Sequence, residues 1–167
     1  MKWLQLIEAG QLHLQEVKWS ATPGGARVFS LGARWMHDRL QELGPTGSFD
    51  AGRRYTGYGL LKYGVCLAAF GGASALGWLF IPLAIFLFYL CEIHFLFLFP
   101  LLIDRAPRPL LASIRATYKV GVGRCFVTVI PIAAYMLAGL MRGRLYNWYV
   151  GCLAIVIWYN HEVRNRL

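Results

Sequence analysis

Apolar and polar positions divide the chain into a mixed N-terminal third and a long apolar remainder. Between Lys62 and Glu92 there are 29 residues without a charge, and after His94 the apolar run resumes at once through Ile103. A bilayer-spanning helix needs about 20 mainly apolar residues, so Tyr58 to Ile103 is long enough for two. The pattern predicts a first span over about 59–77, rich in small residues (Gly64, Ala68, Gly72, Ala73) that let another helix approach closely. Gly77-Trp78 reads as the turn, and a second span follows over about 80–103. Asp104-Arg-Ala-Pro-Arg-Pro109 closes it, and residues 110–119 read as a short surface helix. A third span is predicted over about 122–141 with Pro131 as a kink, and a fourth over about 145–159 after the Arg142-Gly-Arg144 turn. The fourth is short for a bilayer and calls for an adjusted tilt or a thinned membrane.

Before the spans the signals are weaker. Residues 3–19 mix helical and alternating patterns and leave helix or short strand undecided. Thr22-Pro-Gly-Gly25 is a break, after which Phe29, Ala33, Met36, Leu40 and Leu43 recur at four-three-four-three spacing and predict an amphipathic helix ended by Gly44-Pro45. Its polar face carries Arg27, Arg34, Asp38 and Glu42, and such a helix lies in the headgroup layer or packs on the cytoplasmic face of the bundle. The expected fold is all-α: a polytopic helical membrane protein. Residues 1–54 form a cytoplasmic or interfacial amphipathic segment, and residues 55–167 a four-helix transmembrane domain.

Composition agrees, because 57% hydrophobic residues, 15% aromatic residues and a mean hydropathy of +0.48 exceed what a soluble domain of this length carries. The net charge of +9 does not signal nucleic acid, since the basic residues bracket apolar segments instead of forming a dense run with interleaved aromatics. Counted near the span ends, Arg53, Arg54, Lys62, Arg105, Arg108, Arg115, Lys119, Arg124, Arg164 and Arg166 fall on one side, and only Arg142 and Arg144 on the other. This ten-to-two asymmetry places both termini in the cytoplasm, with a bacterial inner membrane as the expected compartment. Lys62 is expected to snorkel at the cytoplasmic end of the first span. No cleavable signal peptide or lipidation motif is expected. The four cysteines sit in apolar stretches without CxxC or Cys/His spacing, and read as small buried apolar residues rather than metal ligands.

Candidate chemistry is sparse. Glu92 and His94 are the only ionisable side chains, thiols and phenols aside, that fall deep in a span. On a straight helix Glu92 lies about 18 Å from Asp104, near the bilayer midplane, where a carboxylate must be neutral, paired or watered. Glu92 is read as a residue hydrogen-bonded within the bundle, a proton or substrate site, or a contact to a partner subunit. His94 is read as a hydrogen-bonded or interfacial histidine, or as a general base or metal or haem ligand. The two project about 200° apart, although Pro100 frees a carbonyl near residue 96 and loosens the helix. A second cluster, Asn160-His161-Glu162 with Arg164 and Arg166, is either a solvated helix end or an interfacial site. In the latter, His161 and Glu162 act on a lipid headgroup or acyl donor while Arg105 and Arg108, beside Asp104, hold a phosphate. GxSxG, HExxH, Walker and Rossmann motifs and histidine boxes are absent, and bis-histidine haem ligation is unfavourable with His94 deep and His161 at the surface.

Tyr159-Asn160 followed by Arg164-Asn165-Arg166-Leu167, and Glu92-Ile93-His94 with a following proline, resemble features of small membrane acyltransferases of carotenoid-glycoside synthesis. The resemblance covers a small part of the chain; the Glu/His spacing is one residue short and the upstream lysine-rich segment is missing. It implies lipid chemistry. Three functions follow as expectations: an accessory or scaffold subunit of a membrane complex, a small membrane enzyme transferring an acyl or related group to a lipid or isoprenoid, and proton-coupled transport through Glu92. The expected partners are membrane lipids and a further membrane subunit or second copy of the chain, with no nucleic acid; the sequence points to no cofactor.

Overall fold

A computed structural model describes residues 2–15 and 28–164, and all regular structure among them is helical. The helices are α1 (Trp3–Gln15), α2 (Val28–Leu43), α3 (Tyr55–Ser74), α4 (Ile81–His94), α5 (Leu98–Ile103), α6 (Pro109–Val120), α7 (Val122–Met141) and α8 (Leu145–Glu162). A 3-10 turn, Trp78–Phe80, leads into α4. The undecided segment near the N-terminus is helical through Gln15, burying Leu6, Ile7, Gly10 and Leu14 along one stripe. The expected break at Thr22 to Gly25, and Arg27 and Arg166, lie outside the described residues.

Two segments, Trp78–Ile103 and Val122–Met141, are long and apolar enough to cross a membrane. Large apolar side chains stay exposed along the bundle, among them Leu60, Leu67, Leu79, Phe86, Val127 and Leu137. An exposed apolar surface of this extent suits lipid better than water. The other two expected spans are not in that class. α8 carries Asn147 near its start and Asn160, His161 and Glu162 at its end, which lower its hydropathy, while its apolar middle serves the protein core. Val150, Leu153, Ala154, Ile157, Trp158 and Tyr159 are buried, and the helix packs against α1, α2 and α7.

The second span is not straight. α4 ends at His94, residues 95–97 form turns, and α5 restarts at Leu98. Pro100 cannot donate to the carbonyl four residues back, so an unbroken ladder was excluded here. The carbonyls loosened at the break are taken up from α6: Ser113 Oγ donates to His94 O at 2.8 Å, and Thr117 Oγ1 donates to Ile93 O at 2.7 Å. Both hydroxyl-bearing residues are fully buried, so these bonds fix α6 against the interrupted span.

Tight turns set the helix pairing. Gly77 has φ +122°, a backbone conformation that side chains disfavour, and it folds α3 and α4 into a hairpin. At the other end of the bundle, Arg105 donates to Ser48 O at 2.8 Å, while Arg164 bonds Asp104 Oδ1 at 3.0 Å and Pro45 O at 2.6 Å. Tyr159 donates to Asp104 Oδ2 at 2.8 Å, so the ends of α2, α5 and α8 are tied together.

Candidate functional site: an aromatic-lined cavity and its ion pair

Five helices form a closed ring: α2 packs on α3, α3 on α4, α4 on α7, α7 on α8, and α8 back on α2. The ring borders a cavity of about 580 Å³ that is partly open to the outside. α2 completes it through the apolar face read from the sequence: Ala33 and Leu40 are buried, and Phe29, Ala33 and Met36 reach the lumen. The amphipathic helix is therefore a wall of the bundle and not a helix laid beside it. Glycine sits where this wall meets its neighbour, because the Phe29 ring occupies the space where a Cβ on Gly59 of α3 would stand.

The lining is predominantly aromatic and aliphatic. Phe29 stacks with Phe99 at 6.2 Å between ring centroids and lies 5.9 Å from Tyr63, and Trp35 meets Tyr149 edge-on at 5.1 Å. Into this apolar space two charged side chains are set. Lys62 Nζ lies 2.6 Å from Glu92 Oε1, with side-chain exposures of 9% and 17%. Cys66 Sγ, one turn on along α3, donates to Glu92 Oε2 at 3.7 Å, and the Lys62 ammonium sits over the Tyr63 ring at 5.4 Å. Both carboxylate oxygens of Glu92 are thus engaged from α3. Of the three states open to a carboxylate at this depth, Glu92 has the paired one.

Lys62 departs from the sequence expectation. It turns inward to Glu92 and does not snorkel, because the hairpin offers it a carboxylate at contact distance. His94 does not share the site: its Nδ1 bonds Leu90 O at 2.6 Å, and its ring meets Tyr118 edge-on at 5.8 Å. This is the separation expected of residues two apart on a helix.

The second predicted cluster is divided as well. Glu162 is buried and takes two hydrogen bonds from Arg124, 2.8 Å and 2.6 Å, while its neighbour His161 is exposed. Burial pushes the Glu162 carboxyl up, but the positive charge around it, Arg124 included, prevails and holds it below its ordinary value. Arg105 is spent on Ser48, and Arg108 is exposed just ahead of α6. Asp104 is bound to Tyr159 and Arg164. Among the described residues no three of His, Cys, Asp and Glu are grouped to hold a metal ion.

Sequence reasoning missed Lys62, Cys66 and the aromatic lining as parts of one site, and singled out Glu92. No protein family, curated protein or solved structure matches this chain.

Proposed function

We propose that this is an integral membrane protein that holds one lipid or isoprenoid molecule in the five-helix cavity, with its polar end at Lys62 and Glu92. The observation that carries the reading is an ion pair set into the wall of an otherwise apolar, aromatic-lined cavity large enough for a small ligand. Ligand pockets combine apolar walls with a few placed polar groups in this way, and intramembrane charges mark such sites. Of the four residues expected to be catalytic, Glu92 alone lines the cavity, so binding is supported more directly than group transfer.

The topology belongs to the same proposal. Residues 59–77 and 145–159 join Trp78–Ile103 and Val122–Met141 as spans of a multi-pass protein, with both termini on the basic, cytoplasmic side of a bacterial inner membrane. The contacts of Arg105 and Arg164 with the loops after α2 and α5 support one basic end.

Gly32 gives the test. It lines the cavity, and a Cβ built on it meets nothing within 4 Å, so Gly32→Phe fills the lumen without a backbone clash. Apolar molecules extracted from the wild-type protein, purified gently from its own membranes, are expected to be enriched in one lipid or isoprenoid class, and Gly32→Phe to lose that enrichment. Bulk membrane lipid in equal amounts on both proteins would overturn the proposal.

A second reading, an accessory or scaffold subunit, rests on the outer face of α3. Side chains added at Gly64, Gly71 or Gly72 would meet open space, so these glycines pack against nothing among the described residues. Partner-dependent purification in mild detergent is its test, and a lone monomer would remove it.

A further inference from the structure

We infer that the polar end of the ligand is a quinone-type ring: neutral, flat, and bearing carbonyl acceptors on an apolar tail. The inference rests on the cavity-binding reading above and narrows its ligand. Three observations point the same way.

The first is charge. Lys62 and Glu92 cancel each other at 2.6 Å, so the site offers no net charge to an ionic headgroup. A phosphate or carboxylate would stand beside Glu92 with only an already neutralised ammonium to hold it, among apolar walls where an uncompensated charge is expensive. A neutral head avoids that penalty.

The second is hydrogen bonding. Lys62 carries three N–H donors and spends one on Glu92. The hydroxyls of Tyr63 and Tyr89, which also line the cavity, make no hydrogen bond among the described residues. Glu92 already accepts on both oxygens, from Lys62 and Cys66. The Lys62 ammonium therefore has N–H donors to spare and no acceptor role of its own, and a ligand that takes up those donors brings acceptors. Ring carbonyls do so without adding charge.

The third is shape. Phe29, Phe99, Tyr63, Trp35 and Tyr149 all line the cavity and pack ring against ring, with Phe29 and Phe99 nearly parallel at 10° between planes. An aromatic lining of this kind favours a planar ring over a flexible saturated chain.

The experiment uses the full chain in detergent with two probes, a decyl-substituted benzoquinone and decylbenzene, which share tail and ring and differ in the carbonyls. Each is supplied in equal amount, and the quantity retained through gel filtration is measured by mass spectrometry against Gly32→Phe as the background for the micelle. The wild-type protein is expected to retain the quinone over decylbenzene by about tenfold, the scale of one or two hydrogen bonds involving a charged group. Lys62→Met combined with Glu92→Gln, which leaves no lone buried charge, is expected to bring quinone retention down to that of decylbenzene. If the double variant does not fold, Tyr63→Phe replaces it, with a severalfold loss of quinone and unchanged decylbenzene expected. Equal retention of both probes above background overturns the quinone assignment and leaves the cavity-binding proposal standing. Retention of neither above background overturns the quinone assignment, and a wild-type protein also devoid of native ligand overturns both.

Discussion

Lys62 Nζ and Glu92 Oε1 lie 2.6 Å apart across the α3–α4 hairpin, each on the inner face of its helix. A buried ion pair adds little net stability over an apolar pair, yet removing one partner strands the other charge. Lys62→Met alone and Glu92→Gln alone are each expected to destabilise the protein by about 3–5 kcal/mol. The combined variant should recover most of that loss. Thermal unfolding in detergent measures all three, and a double variant as unstable as the sum of the singles would contradict the pairing.

The break in the second span depends on α6. Thr117→Val keeps the shape of the side chain and removes the donor to Ile93 O, leaving a buried carbonyl without that bond. A loss of about 1–3 kcal/mol is expected, with Ser113→Ala acting in the same direction at His94 O. Hydrogen exchange at residues 93–98 should rise in Thr117→Val; unchanged protection there would show that the two hydroxyls do not hold the break.

Glycines on two helices make opposite predictions. Gly139 of α7 is packed against Asn147 of α8 so closely that a Cβ would meet Asn147 Cβ, and this atom cannot swing away because it is fixed to the α8 backbone. Gly139→Ala is expected to force the helices apart and cost about 1–3 kcal/mol. Gly64→Ala meets open space and removes a flexible residue from a helix, so it should be neutral or stabilising by up to about 1 kcal/mol in the isolated chain. Melting temperatures of the two variants, measured side by side, check both signs.

Much of this architecture can be read from residues. The α2 stripe of Phe29, Ala33, Met36, Leu40 and Leu43 is the face that packs inward, and Gly77 is the hairpin turn. The Lys62–Glu92 contact was also within reach. Lys62 lies fifteen residues before Gly77 and Glu92 fifteen after it, so an antiparallel hairpin folded there sets them at equal depth. Treating Lys62 alone as a headgroup-seeking side chain concealed this. The ring of five helices was not legible, because it depends on which apolar faces choose one another, and α8 shows the ambiguity well. Its apolar middle suits a lipid-facing face or a buried one, and packing decides for the core. Likewise His161-Glu162 reads as a pair in sequence, but Arg124, far away in the chain, claims Glu162 alone.

Glu162 gives a pH dependence of defined sign. The Glu162 carboxyl is held below its ordinary value of 4.5 in the folded protein. Its stabilising contribution is therefore fully present above about pH 4.5 and is lost as pH falls through the lower, folded value. Glu162→Gln is expected to be less stable than wild type near neutrality and to show a shallower decline toward acid. Unfolding curves collected from neutral pH down to about pH 3 compare the two; parallel curves would show that the fold does not hold this carboxyl low.

The most direct test of the central claim is native mass spectrometry of the intact protein released from gently purified detergent micelles. The account predicts the chain mass plus one small apolar molecule, retained by the wild type and missing from Gly32→Phe. A bare chain, or a chain carrying only a stoichiometric protein partner with nothing in the cavity, would contradict it.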